Sequence, residues 1–378
     1  MAYLISLEQK GLYLKVTFDM KICFFAASNS IHSYRWVKYF AGRGHTITWV
    51  SLCETIFEPI EGVKYYEIVS SKNLTSIFRS VVFLRRILKS NKPDCLHVHY
   101  LGVYGLIALI SGFRSIVSTP WGSDIIINKK NFLYRILIRT FLKRASLITC
   151  DAQHMKDQIL ELGVSKNRIE IINFGIDTEQ FSPKPANSDL RKKMKIKDGF
   201  TIVSMRNFEP VYDLKTLVLA MPDILDKYPD VNFVLIGHGS QEKELKDLVK
   251  ELKIESSVHF PGFISNPDLP QLLNNSDIYI STSLSDAGIA ASTAEAMACG
   301  VPVVVTDTGE NCEWVKNGET GYIVPPSEPL RLAEVIKNMI LEPKEIKKVG
   351  LAGRKIISDY NDYQTEMAKM ENLYKLVF

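Results

Sequence analysis

The sequence predicts an α/β protein of two Rossmann-like domains in tandem, facing each other across a cleft. Three observations carry that prediction. Short apolar runs alternate with helix-period segments, the alternation restarts after a polar, proline-containing stretch near the middle, and 378 residues suffice for two domains with a core each.

In the first half, the apolar run 21–27 leads through Ser28-Asn29-Ser30 into a helical pattern that reaches residue 41, then the turn at Gly42-Arg43-Gly44 and a strand-like 45–51. The rhythm continues as strand 63–68, helix 74–89, strand 94–99, helix 105–111, strand 115–118, helix 132–144, strand 147–150, helix 152–162 and strand 169–172. Strands separated by helices pair through crossovers, which makes the sheet parallel and puts helices on both faces. Residues 181–197 interrupt the pattern, with Ser182-Pro183-Lys184-Pro185 and Arg191-Lys192-Lys193 reading as a linker and an exposed lead-in helix. A second series follows, in which strands 200–205, 232–236, 258–260, 278–281, 303–306 and 321–324 alternate with helices 214–225, 242–252, 269–274, 293–299 and 330–341. The expected domains are therefore 20–182 and 190–361, with 1–19 as an upstream extension. Open α/β sheets bind ligands beyond the carboxyl ends of their strands, so the cleft between the two sets of strand ends is the expected site.

Composition narrows the function classes. With 46 Lys and Arg against 42 Asp and Glu the net charge is +4, and 46% of residues are hydrophobic, as in an ordinary soluble globular protein. No dense basic surface for nucleic acid is expected from that balance. The six cysteines, at 23, 53, 95, 150, 299 and 312, show neither a C-x-x-C pair nor zinc spacing, which fits buried thiols in a reducing, cytoplasmic compartment and no bound metal. The longest uncharged apolar run, 101–113, is short of the roughly 20 residues that span a bilayer. Residues 1–19, with Glu8, Lys10, Lys15 and Asp19, do not read as a secretory signal.

The sharpest local signal is the stretch from Ser281 to Val305, which contains Asp286, Gly288, Glu295, Gly300 and Pro302. It reads as strand, glycine-containing loop, helix with one carboxylate in its first turn, glycine stop and strand. Backbone amides from Gly288 through Ile289, Ala290 and Ala291 to Ser292 and Thr293 would point outward at the helix N-terminus, where the macrodipole favours a diphosphate. Glu295 could then accept two ribose hydroxyls. The plainer alternative has Ser292 or Thr293 capping a core helix, with Glu295 in the first turn for dipole reasons alone.

The surrounding segments resemble the retaining glycosyltransferases of family 4, which have the GT-B fold. Glu295-Ala-Met-Ala-Cys-Gly300-Val-Pro302-Val matches the second half of their signature, and Asn173-Phe-Gly-Ile-Asp177, Gly237-His-Gly239, Phe260-Pro-Gly262-Phe263 and Asn317-Gly-Glu-Thr-Gly-Tyr-Ile-Val-Pro325 fall in order around it. The resemblance covers roughly residues 21–340. It implies transfer of a sugar from a nucleotide-sugar to a hydroxyl acceptor, with retention and without a metal or other cofactor. By similarity, Glu295 would hold the donor ribose, Gly288 to Ala290 would offer amides, Arg206 would neutralise the diphosphate, and Phe263 would lie near the base, with Gly237 in the donor-side turn. The resemblance also implies a last helix, 362–378, returning to the first domain through Leu373, Leu376 and Phe378, and a natural start at Met20.

The chain departs from the family pattern at several positions. Ala287 stands where the first glutamate of the signature is expected, leaving Asp286 as the nearby carboxylate to face the sugar. The second phosphate-binding cation aligns near Val211 and Tyr212, so Lys215 is its candidate substitute. Ser28 and Asn29 replace a glycine pair after the first strand and are candidate acceptor contacts. Trp121 replaces a histidine in Ser118-Thr-Pro-Trp121-Gly-Ser-Asp124, which makes Asp124 a candidate for acceptor binding and catalysis beside Asp286 and Arg206. Trp121 is either an acceptor contact or a core aromatic under a loop. His99 is expected at the cleft, while His97 and His45 read as structural.

The stretches 78–92 and 129–144 combine Arg79, Arg85, Arg86, Lys89, Arg135, Arg139, Lys143 and Arg144 with aromatic and aliphatic residues. Such helices rest on an anionic leaflet, at the inner face of the membrane, or are core helices with a solvated basic face. The acceptor is expected to be a glycan or lipid-linked glycan. Alternatives to an active transferase are a nucleotide-sugar-binding subunit that has lost turnover, or a nucleotide-sugar epimerase of the same fold. A nicotinamide oxidoreductase is disfavoured because Gly237-x-Gly239 lacks its third glycine.

Overall fold

Alternating strands and amphipathic helices assemble into two parallel sheets in the computed structural model, which describes residues 19–68, 74–121, 125, 132–186, 191, 192, 194, 196–262, 264–286 and 288–378. The expectations for 1–18 and for Asp124, Phe263 and Ala287 lie outside the described residues, as do residues 129–131 of the second basic stretch. The chain packs as two compact units, one running to Thr149 with Leu162–Ile169 and Leu376–Phe378, the other comprising Cys150–Glu161 and Glu170–Lys375.

The first sheet has seven strands, β1 (Lys21–Phe25), β2 (Thr46–Ser51), β3 (Lys64–Glu67), β4 (Cys95–His99), β5 (Ile116–Thr119), β6 (Leu147–Cys150) and β7 (Ile169–Ile171), in the order β3-β2-β1-β4-β5-β6-β7. Its central strands are buried along almost their whole length, because helices cover both faces. Helix Ile31–Gly42 contributes Trp36, Val37 and Phe40 to the core, and helix Leu74–Asn91 contributes Val81, Leu84 and Ile87. The helix expected over 105–111 is Leu106–Ser111, and a π-helical turn, Leu101–Gly105, precedes it.

The second sheet has six strands, β8 (Thr201–Ser204), β9 (Asn232–Ile236), β10 (Val258–Gly262), β11 (Ile278–Ser281), β12 (Val303–Thr306) and β13 (Tyr322–Val324), ordered β10-β9-β8-β11-β12-β13. The order reverses between β8 and β11, which pair in parallel with Ile202 opposite Ile278. The loops after these two strands therefore leave in opposite directions and open a crevice between them. Leu217, Met221, Ile224 and Ile336 pack on one face of the sheet; Ala294, Met297, Ala298 and Ile357 pack on the other.

Helix Pro343–Tyr360 is not among the elements expected from periodicity, since Gly350 and Gly353 thin its apolar stripe. Those glycines allow close approach: a Cβ at Gly350 would run into the carbonyl oxygen of Gly300, which ends helix Ala291–Ala298. Helix Tyr363–Val377 then buries Met367, Met370 and Tyr374. Leu376 is 81% exposed, so it does not supply the packing expected of it. The start of this helix is laced to the segment after β7: Asn173 donates to Glu366 Oε2 at 2.6 Å, Tyr363 donates to the Ile176 carbonyl at 2.9 Å, and Thr178 donates to Asp362 Oδ2 at 2.6 Å.

Candidate active site

The reversal of strand order brings Arg206, just beyond β8, to the loop that follows β11. Its Nη2 donates to Asp286 Oδ1 at 2.5 Å and lies 3.4 Å from Ser283 Oγ. The guanidinium carbon sits 4.2 Å from the centre of the Tyr212 ring, a cation–π contact. Tyr212 is itself fixed, because its carbonyl accepts from Thr282 and the neighbouring Val211 carbonyl accepts from the Leu284 amide. Gly237, at φ +147°, lets the turn after β9 lie against the Arg206 carbonyl, where a Cβ would come within 2.6 Å. Among the described residues, Arg206 Nε and Asp286 Oδ2 are buried with no hydrogen-bond partner.

Helix Ala291–Ala298 starts beside this pair. Its N-cap is Ala290, which has no side-chain acceptor to cap with, and no side chain among the described residues bonds its first amides. Ser292 is instead bonded to the Tyr279 hydroxyl at 2.7 Å, and Thr293 Oγ1 is buried without a partner among the described residues. The alternative in which Ser292 or Thr293 caps the helix therefore fails, and the first amides remain for another acceptor. Gly288 and Ile289 lead into this turn, and Glu295 lies half-buried one turn into the helix. Lys215 is half exposed and 3.4 Å from Glu244.

Two further segments meet the loop 284–290. Gly288 lies against residues 151 and 152: a Cβ there would be 3.5 Å from the Asp151 carbonyl and 3.6 Å from Ala152 Cβ. Gly309 packs on the carbonyl of Asp286, with no room for a side chain. The adjacent Glu310 accepts the His154 amide at 2.6 Å, capping helix Gln153–Glu161 from a distance in sequence. A cavity of about 610 Å³ beside these segments is lined by Ala152, His154, Gly309, Glu310, Trp314 and Tyr360, among others.

In the first unit, Ser28 is fully buried: its hydroxyl donates to the Cys53 carbonyl at 2.7 Å and accepts from Tyr65 at 3.1 Å. Asn29 beside it is exposed. His99 is 1% exposed, with Ser33 Oγ 3.4 Å from Nδ1. Burial, followed by the nearby His32, lowers its pKa to about 3, so its imidazole is neutral. Trp121 is stacked on His32 at 5.1 Å and meets His99 edge-on at 5.5 Å. His97 bonds Thr119 at 2.6 Å and His45 accepts the Met20 amide at 3.2 Å, in keeping with structural roles.

The comparisons with known proteins bear on this geometry. Residues 187–356 match the family described as "Glycosyl transferases group 1", and residues 21–152 match "Glycosyl transferase 4-like". The chain is a GT-B glycosyltransferase related to family 4.

Relatives of this glycosyltransferase include the GDP-mannose-dependent alpha-(1-6)-phosphatidylinositol monomannoside mannosyltransferase of Mycolicibacterium smegmatis, 24% identical over 72% of this chain and 73% of that protein. The N-acetyl-alpha-D-glucosaminyl L-malate synthase of Bacillus anthracis is 25% identical over 90% of this chain and 91% of its own length. Among solved structures, a glycosyltransferase from Rickettsia africae superimposes with a TM-score of 0.84 at 20% identity, covering 95% of this chain and 99% of that one. HepE of Anabaena, solved with UDP, gives 0.79 at 21% identity, covering 94% and 100%. At those identities the two structures speak for the fold.

Sequence reasoning brought Arg206, Asp286, the 288–293 turn and Glu295 into one neighbourhood of the glycosyltransferase. It missed Tyr212 as the ring beneath Arg206, and Asp151 and Glu310 as neighbours of the turn. The alignment of Tyr212 with an expected cation was a usable signal. Asp151 and Glu310 carry no local pattern, since only the tertiary fold brings them near Gly288.

Proposed function

We propose that this glycosyltransferase moves a sugar from its nucleotide-sugar to a hydroxyl of a glycan or lipid-linked glycan, with retention at the anomeric carbon and without a metal ion. The observation that supports the reading best is the buried Arg206 beside an uncapped helix N-terminus, a fixed cation and a set of amides at one place. In such a site the diphosphate would accept from Arg206 and from the amides of 291–293, while Glu295 accepts the ribose hydroxyls. The bond from the anomeric carbon to the diphosphate oxygen breaks, the acceptor oxygen bonds to that carbon on the same face, and the acceptor's proton passes to the departing diphosphate. Positioning and leaving-group stabilisation then supply the rate, which is the work a pre-organised cation and dipole can do. Asn29 and Trp121 remain acceptor candidates on the first unit; Ser28 and His99 support the loop from beneath.

Membrane contact through the basic helices is part of the same proposal. Helix Leu74–Asn91 carries no acidic residue and exposes Leu74 at 85% and Phe78 at 68% next to Arg79. Arg85 is committed elsewhere, donating to the Ile110 carbonyl at 2.6 Å and the Ser111 carbonyl at 3.0 Å. No helix among the described residues is long and apolar enough to cross a membrane.

The test is a thermal-shift panel of UDP-glucose, UDP-N-acetylglucosamine and GDP-mannose with EDTA present, followed by proton NMR of the product. A donor at 100 times its dissociation constant stabilises by about 2.7 kcal/mol. An axial product from an axial donor supports the reading; an inverted product, or transfer that requires added magnesium or manganese, contradicts it. A binding subunit without turnover, favoured by the engagement of Asp286 with Arg206, would bind a donor and form no product.

A further inference from the structure

We infer that Asp151 is a second sugar-binding carboxylate of this site, accepting a hydroxyl of the sugar carried by the donor. The inference rests on the donor reading above. Two buried carboxylate oxygens near this turn lack a hydrogen-bond donor among the described residues: Asp286 Oδ2, two positions before Gly288, and Asp151 Oδ1, on a residue whose backbone carbonyl lies against Gly288. A carboxylate oxygen removed from water without a donor is costly, and a site that keeps two of them beside one turn is suited to a ligand rich in hydroxyls. The unpartnered Nε of Arg206, whose guanidinium is paired with Asp286, is a donor suited to an anionic oxygen such as a phosphate.

The other nearby carboxylate is occupied. Glu310 Oε1 takes the His154 amide at 2.6 Å and lies 3.4 Å from His154 Nδ1, so it is bound to the helix it caps. Asp286 spends one oxygen on Arg206. Asp151 accepts from its own backbone amide and keeps Oδ1 unused. Burial, with Glu310 nearby, raises its pKa, as expected for a carboxylate short of donors until a ligand arrives. Its place is fixed from both sides, because Gly288 abuts Asp151 and Ala152 while Gly309 and Glu310 join Asp286 to His154.

The experiment compares calorimetric affinities for a nucleotide-sugar and for its nucleoside diphosphate, using whichever of UDP-glucose, UDP-N-acetylglucosamine and GDP-mannose binds the unaltered protein. Asp151→Ala is expected to weaken the nucleotide-sugar about tenfold or more and to leave UDP or GDP unchanged. Asp151→Asn, which keeps an acceptor oxygen, should lose less. Equal losses for both ligands would assign Asp151 a structural role and overturn the inference, as would no loss for either; bound diphosphate serves as the check that the variant is folded. Wild-type protein that binds none of the panel would overturn the donor reading itself, and this inference with it.

Discussion

Nη2 of Arg206 lies 2.5 Å from Oδ1 of Asp286, and the two side chains are 9% and 7% exposed. A pair so enclosed gains its attraction only by surrendering hydration, and removing one partner strands the other charge. Asp286 therefore does two jobs in this account. It holds Arg206, which stacks on Tyr212, and its second oxygen, without a partner among the described residues, is the one proposed to face the donor sugar.

Asp286→Ala should destabilise the protein by about 3–5 kcal/mol, since it leaves Arg206 buried and unpaired, and should lower turnover at least as much as donor affinity. Urea unfolding and initial rates measured on the same preparation check both parts. Wild-type stability would mean that Arg206 does not depend on the carboxylate. Ala287→Glu should bring no gain in initial rate, because it adds a second negative charge next in sequence to Asp286.

Glu295→Ala is expected to cost about 1.5–3 kcal/mol of donor binding, the range for a hydrogen bond to a charged group. The fold should survive, as the residue is only half-buried. Calorimetry with the intact donor reads the effect directly, and an unaltered dissociation constant would remove the ribose role.

His99 gives a pH dependence whose sign is fixed by its environment. Its pKa is lowered to about 3, from an ordinary value of 6.5, first by burial and then by His32. The unfolded chain therefore binds a proton that the folded chain refuses, and stability present above pH 6.5 is lost as pH falls from there towards 3. The slope from one such group approaches about 1.4 kcal/mol per pH unit. Urea midpoints at pH 7, 6 and 5 should fall in the wild type and fall less steeply in His99→Phe; parallel lines would show that His99 titrates normally.

Phe78→Ser together with Arg79→Glu should release the protein from vesicles containing phosphatidylglycerol while leaving its melting temperature within a degree or two, since both side chains are exposed. Arg85→Ala should do the opposite, destabilising the fold because the guanidinium holds the end of helix Leu106–Ser111. Co-sedimentation and thermal melts separate the two. Equal vesicle binding by the double variant and the wild type would leave the basic helix as a solvated face.

Most of the fold was legible because each element states its own period. β9, β11 and β12 coincide with the apolar runs that predict them, and the presence of two parallel sheets follows from the alternation and its restart, whereas the GT-B fold was implied by the family resemblance. Helix Pro343–Tyr360 escaped because its glycines trade apolar burial for close packing on Gly300. At the site, the linear motif 286–295 was readable, whereas the Arg206 to Tyr212 stacking and the approach of Asp151 to Gly288 depend on loops that meet only after the sheet has formed. Ser28 was chosen for its polarity and its place after β1, yet that polarity is consumed by Cys53 and Tyr65 within the loop.

Whether the donor diphosphate rests on Arg206 and the start of helix Ala291–Ala298 can be read by calorimetry of UDP and GDP against Arg206→Ala/Asp286→Asn, a protein that leaves no charge of the pair stranded. At least a tenfold loss of affinity is expected for the diphosphate that binds the wild type, with nucleoside binding unchanged. Wild-type affinity for the diphosphate in the double variant would place the phosphates elsewhere.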